Sequence, residues 1–257
     1  MPKLDLHYFI CRQDNYGVLL HDRESGLTAS IDAPEAAAIE RELAAKGWKL
    51  SHILTTHHHV DHVEGNLALK RKWNAKIIGP KAEASQIPGI DTGVADGEAY
   101  EFAGREVKVI ATPGHTKGHI VLYMPQEDLL FAGDTLFALG CGRVIEGTLP
   151  EMWTSLDKLR KLPPRTVFHC GHEYTETNAR FALTVEPNNA ALVKRAEKIM
   201  AQRAKGEMTL PGTIGEELAT NVFLRPESKD IRAVLRMPLA GKSDVFGEIR
   251  KRKDAFR

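Results

Sequence analysis

The sequence predicts a mixed α/β protein whose last third is helical, and three observations carry that expectation. Short apolar runs of strand length alternate with helical stretches and tight turns through the first two-thirds; strand signals stop after His172; amphipathic helical segments then follow one another to the end. The pattern places sheet against helices in residues 1–172 and a helical subdomain in 173–257, without fixing the strand order.

In chain order, strands are expected around Leu4 to Cys11, Gly17 to His21 and Thr28 to Asp32. Pro34 opens a helical segment to Ala45, since proline fits a first helical turn and the filling is rich in alanine. A strand at Ser51 to Thr55, a helix from about Glu64 to Trp73 and a strand at Lys76 to Gly79 follow. Glu98 to Phe102 and Glu106 to Ala111 read as a hairpin closed by Ala103-Gly104. Ile120 to Met124, Asp128 to Phe131 and Thr166 to Cys170 complete the strands, with a helix from about Glu151 to Lys161 between the last two. The helical part comprises Thr175 to Thr184, Asn188 to Ala204, Thr213 to Thr220 and Asp244 to Lys253.

A formal charge of +1 on 257 residues gives no global field of the kind that coats nucleic acid. Cys11, Cys141 and Cys170 lack paired spacing, which fits a reducing compartment and a cytoplasmic address. The stretch Met1 to Leu6 is too short and too charged for a signal h-region, and no apolar run reaches the length of a membrane span. The expectation is a monomer acting on a small molecule, with neither nucleic acid nor membrane as partner.

The chemistry concentrates in Thr55-Thr56-His57-His58-His59-Val60-Asp61-His62, where a strand ends and a helix begins. In extended backbone alternate side chains share a side, so His57 and His59 converge while His58 points elsewhere. After the turn, Asp61 and His62 face a second point. So many imidazoles side by side are costly if protonated, whereas neutral imidazole and carboxylate are donors that zinc, iron or manganese accept. Three glycine-punctuated turns add one donor each: His115 in Thr112-Pro113-Gly114-His115-Thr116, Asp134 in Gly133-Asp134-Thr135, and His172 in His169-Cys170-Gly171-His172. Seven donors exceed one tetrahedral zinc and suit two metals bridged by a carboxylate.

His-x-His-x-Asp-His followed by single His, Asp and His positions resembles the metallo-β-lactamase superfamily. That resemblance implies a four-layer αββα sandwich with two divalent metals, zinc first with iron or manganese as alternatives, at one edge. Within it the chain is similar to the glyoxalase II, or hydroxyacylglutathione hydrolase, family. The resemblance rests on Cys141-Gly142-Arg143, Glu146-Gly147-Thr148, Cys170 to Thr175 with Asn178 and Phe181 to Leu183, Val185-Glu186-Pro187, Glu216 to Asn221 and Arg250 to Asp254. It implies that His57, His59 and His115 hold one metal, that Asp61, His62 and His172 hold the other, and that Asp134 bridges them with a water or hydroxide. Asp61 and Asp134 are then the catalytic carboxylates, and His58, His119 and His169 have no ligand role. It also assigns a glutathione moiety to Arg143, Tyr174, Asn178, Arg250 and Lys253, the last two sharing a helix face. Ile145 stands where the family usually has an aromatic residue.

The implied reaction is hydrolysis of S-(2-hydroxyacyl)glutathione, S-D-lactoylglutathione above all, to glutathione and D-lactate, the second step of glutathione-dependent methylglyoxal detoxification. Alternatives on the same scaffold are a glutathione persulfide dioxygenase and a lactonase or β-lactamase, whose substrates would not need the basic helical tail. A structural metal protein would keep the histidines but has no use for a bridging Asp134. A solvated basic tail is the bland reading of Arg250 and Lys253; a nucleic-acid arm is disfavoured because no stacking aromatics are interleaved.

Overall fold

The computed structural model describes residues 4–256, so that Met1 to Lys3, at the head of the N-terminal stretch considered above, and Arg257 lie outside the described residues. The chain divides into two compact units, one running to Ala111 and again from Thr116 to Gly133, the other comprising Thr112–His115 and the chain from Asp134 onward.

The first unit contains β1 (Asp5–Cys11), β2 (Asn15–His21), β3 (Thr28–Ile31), α1 (Ala36–Lys46), β4 (His52–Leu54), α2 (Val60–Val63), α3 (Asn66–Trp73), β5 (Lys76–Pro80), a 3-10 turn (Lys81–Gln86), β6 (Thr92–Val94), β7 (Ala99–Phe102), β8 (Arg105–Ala111), β9 (Ile120–Met124) and β10 (Leu129–Gly133). Strands β1 to β6 lie in chain order in one sheet. The first three are antiparallel, and β3 to β6 run parallel because each return passes through a helix or a 3-10 turn. Strands β7 to β10 form an antiparallel meander. The predicted Ala103-Gly104 turn has positive φ at both residues, 50° and 75°, and joins the paired Phe102 and Arg105 as a two-residue hairpin loop.

Side-chain alternation sets the layers of this unit. Leu19, Ile53 and Ile77 turn to one face of the first sheet and pack with Ala38, Ile39, Leu43 and Leu69 of α1 and α3. The alternate positions His52 and Lys76 meet the meander: the His52 ring lies 5.4 Å from Phe102, and the Lys76 ammonium 5.6 Å from the Tyr100 ring. Between the sheets, Arg105 is 1% exposed and donates to Asp22 at 3.0 Å, to Glu127 at 2.7 Å and to the Ala103 carbonyl at 2.9 Å.

The second unit contains β11 (Leu136–Phe137), β12 (Gly140–Cys141), α4 (Leu149–Leu159), β13 (Val167–Cys170), α5 (Thr175–Val185), α6 (Ala190–Arg203), β14 (Gly212–Thr213), α7 (Ile214–Thr220), a 3-10 turn (Val222–Leu224), α8 (Lys229–Leu235) and α9 (Lys242–Ala255). Thr148 with Glu151 and Thr213 with Glu216 form capping boxes on α4 and α7, and the Asn189 side chain caps α6. A run of ring contacts, Trp153 to Phe246 at 5.9 Å, Phe246 to Phe223 at 6.2 Å, Phe223 to Phe181 at 5.9 Å and Phe181 to Phe256 at 5.5 Å, threads the helices together.

Several features differ from the sequence reading, among them the unread strands β6, β11 and β12, each two or three residues long. Strand pairing does not end at His172, because Gly212 and Thr213 pair with Phe168 and Val167; two residues are too few to show alternation. The helix expected from Glu64 begins at Asn66, since the Gly65 N–H turns to the Ala33 carbonyl at 2.8 Å and separates α3 from the short α2. Helix α8 went unread between Pro226 and Pro238, where about two turns offer little periodicity. Among the described residues no helix is long and apolar enough to cross a membrane.

Replacing Arg105 by Met leaves Asp22 and Glu127 without their buried cation. The expected loss is about 3–5 kcal/mol of unfolding free energy, read by urea denaturation. Removal of the exposed Arg23 from its pair with Asp5 is expected to leave the midpoint in place.

Candidate metal centre

Parallel strands deliver their carboxyl ends to one edge, and ligands in α/β sheets collect there. Strand β3 ends at Ile31 and its neighbour β4 at Leu54, which brings Asp32 beside the Thr55-to-His62 loop. The Asp32 carboxylate is 5% exposed and accepts from the Thr56 N–H at 2.7 Å, the Thr56 hydroxyl at 2.9 Å and His62 Nδ1 at 2.8 Å. A carboxylate only accepts, so His62 carries its proton on Nδ1 and presents the Nε2 lone pair as its ligand atom.

In the same unit the ligand atoms of His57 and His59 lie within 4.8 Å of each other, as do those of Asp61 and His62 and those of His57 and His62. The rings of His57 and His59 are 4.8 Å apart, centre to centre. His58 turns away, its Nδ1 2.9 Å from Glu83 Oε2. Glu83 is buried and also accepts from the backbone N–H of His58 at 2.9 Å and of Gly118 at 2.7 Å, tying the histidine loop to the approach of β9. Asn15 donates to the Asp61 carbonyl at 3.1 Å and to its carboxylate at 3.3 Å. His119 is fully buried with its ring 4.9 Å from that of His57.

The second unit carries the remaining donors. His115 Nε2 and His172 Nε2 stand 3.3 and 3.4 Å from one oxygen of Asp134. His115 Nδ1 donates to the Arg143 carbonyl at 2.9 Å, which again leaves Nε2 as the ligand atom. His115, Asp134 and His172 are all buried. His169, three residues before His172, is buried too, and burial pushes its imidazole down to about 3. Neutral imidazoles with their tautomers fixed and carboxylates held among them are a donor set for divalent metal ions.

The substrate candidates divide by exposure. Arg143 is exposed, and Tyr174, 39% exposed, stacks on His172 at 4.8 Å with rings 3° from parallel. Asn178 is buried and donates to the Ala138 carbonyl at 3.1 Å. Arg250, 4% exposed, donates to the Cys141 carbonyl at 3.0 Å, pairs with Asp254 and lies over Phe223. Lys253 lies over the rings of Phe181 and Phe256 and donates to the Thr177 carbonyl at 3.3 Å. Arg250 and Lys253 therefore share the inner face of α9, with the guanidinium committed to the protein. Burial pushes the Cys141 thiol up to about 11 and raises that of Cys170, so neither is a thiolate nucleophile near neutral pH. The three cysteines form no disulfide.

Asp32, Glu83 and Asn15 were not anticipated from sequence. Their partners lie 24 to 46 residues away, and no local spacing announces them.

Residues 24–172 match the metallo-β-lactamase superfamily, and residues 173–256 match the hydroxyacylglutathione hydrolase C-terminus. Among solved structures, the chain is similar to ETHE1 from Myxococcus xanthus (TM-score 0.67, 21% identity, covering 98% of this chain and all of that one). It is also similar to TTHA1623 in a di-iron-bound form (TM-score 0.62, 21% identity, 86% of this chain and all of that one). The fold and donor set are those of a metallo-β-lactamase superfamily hydrolase. Hydroxyacylglutathione hydrolases of Brucella anthropi and Rhizobium meliloti are 58% and 57% identical to it, over 99% and 100% of this chain and 98% and 100% of theirs. The chain belongs to the hydroxyacylglutathione hydrolase family.

Two substitutions test how the donors are held. Asp32→Ala removes the partner of His62, and a Cβ on Gly142 would stand 1.9 Å from the Asp134 carbonyl oxygen, so Gly142→Ala must displace Asp134. Each is expected to weaken metal retention by about 10–100-fold, read as metal content against a competing chelator.

Proposed function

We propose that this protein hydrolyses S-(2-hydroxyacyl)glutathione thioesters, S-D-lactoylglutathione first among them, to glutathione and a 2-hydroxy acid. The observation that carries the reading is a His/Asp donor set joined, in one chain, to a full-length likeness to hydroxyacylglutathione hydrolases. His57, His59 and His115 would hold one divalent metal ion, zinc first, and Asp61, His62 and His172 the other, with Asp134 a further donor at the pair. Bound there, the metals make water acidic enough to attack at neutral pH and polarise the thioester carbonyl.

The chain's own residues do the rest. Asp32 and the Arg143 carbonyl hold the Nδ1 protons of His62 and His115 and so aim their Nε2 atoms. Glutathione binding falls to residues 173–257 together with Arg143: Arg143 and Tyr174 offer exposed heads to the carboxylates and amides of the tripeptide, half-buried Lys253 adds a positive charge, and Asn178 and Arg250 complete the set. No side chain has to protonate the departing thiolate, whose ordinary pKa is about 8.5. Unpaired, buried cysteines suit action in the cytoplasm; on this proposal the protein acts there on a small-molecule substrate as a single chain.

A side-by-side assay of lactoylglutathione, a lactone, a β-lactam and glutathione persulfide on one metal-quantified preparation decides the matter. Thiol release from the first should dominate; oxygen consumption with the persulfide, or preferred turnover of the lactone or β-lactam, sinks the reading.

Lys253 makes a second test. Burial, with Arg250 beside it, pushes its ammonium down to about 8, against the opposing pull of Asp254. The group is charged below that pH and neutral above it, so KM for the thioester should rise as pH passes through about 8 while kcat holds. In Lys253→Met the rise should vanish.

A further inference from the structure

The β11–β12 hairpin is buried along its length, and its tip, Ala138-Leu139, has Leu139 at φ 56°. Water cannot serve the backbone groups there, so each must find a partner within the protein. The partners are side chains from the helices. Asn221 Nδ2 donates to the carbonyls of Phe137 at 3.3 Å and Gly140 at 3.0 Å. Glu217, fully buried, accepts the Leu139 N–H at 2.9 Å and the Asn221 amide at 2.8 Å, and its other oxygen is paired with Arg195 of α6. Asn178 and Arg250 take the Ala138 and Cys141 carbonyls.

What this hairpin carries is decisive. Asp134 lies two positions before it, the Gly142 N–H at its far end returns to the Thr135 carbonyl at 3.1 Å, and the next residue, Arg143, supplies the carbonyl that orients His115. We infer that Glu217 and Asn221 are positioning residues for the metal centre: through the hairpin between Leu136 and Cys141 they set where Asp134 and the imidazole of His115 stand. The inference rests on the reading of those two residues as metal ligands. It makes the helical subdomain part of the metal-holding apparatus as well as a platform for substrate.

The side-chain oxygen of Asn221 also accepts the Phe223 N–H, a local turn that serine can make as well. Asn221→Ser therefore keeps the turn and withdraws the two hairpin bonds together with the amide's bond to Glu217. The probe is Co2+, titrated into metal-free protein and followed by its visible absorption bands, alongside steady-state kinetics. Wild type should take up two equivalents. Folded Asn221→Ser should bind cobalt about tenfold more weakly with altered bands, and lose kcat with KM for the thioester little changed. A residue that merely supports the fold would lower the melting temperature and move neither bands nor the kcat-to-KM split. If Asn221→Ser does not fold, Asn178→Ser withdraws only the Ala138 bond and should shift cobalt affinity the same way by a smaller factor. A folded variant with wild-type cobalt affinity, bands and kcat overturns the inference, whereas wild type that binds no cobalt overturns the metal reading beneath it.

Discussion

A buried carboxylate organises the histidine loop. Asp32 sits at the end of β3 with left-handed backbone (φ 54°), so its two oxygens point across to the next strand and not along their own. An ionised carboxylate out of water is tolerable only when saturated with donors, and the donors here are the Thr56 N–H, the Thr56 hydroxyl and His62. The electrostatic need of one group thus settles the path of the loop and the tautomer of a ligand. Glu83 repeats the device on the neighbouring turn, with two backbone N–H groups as its donors. Both work because the parallel register of β3, β4 and β5 ends neighbouring strands at one level.

The second unit reaches the same end with mostly uncharged groups. Its hairpin tip is held by amides and one arginine, and Glu217 alone brings a buried negative charge, matched by Arg195. Hydrogen bonds to such carbonyls are modest individually, yet a buried carbonyl left bare costs about 1–3 kcal/mol. Four side chains, from α5, from α9 and from α7 with its C-cap, converging on six residues therefore specify one geometry far more sharply than packing would.

How much of this could be read in advance depended on distance along the chain. His57, His59, Asp61 and His62 declare themselves because their spacing is local and the alternation of an extended strand separates His58 from its neighbours. His115, Asp134 and His172 were legible as isolated donors in glycine turns at strand ends. Asp32, by contrast, looks like any last residue of a strand, since its partners are 24 and 30 residues on. Arg250 was read as a charge offered outward. Its guanidinium also donates to a carbonyl 109 residues earlier, and no helical periodicity could show that. The αβ alternation and the long helices were plain; β14, two residues long, was not.

The short segment Thr112–His115 belongs with residues that follow it by dozens of positions. The Pro113 carbonyl accepts from the Ser155 hydroxyl at 2.8 Å, the Gly114 carbonyl from the Gly147 N–H at 3.1 Å, and His115 is aimed by Arg143. Seen from the ribosome, these four residues emerge well before anything that can hold them. A nascent chain that has completed β10 already owns the four donors of the first loop, while His115 still waits for Arg143, Gly147 and Ser155 to be made. Competence to grip a metal pair is in this respect vectorial: His115 is held only once α4 has been made through Ser155, and the donor set is complete only when His172 follows β13.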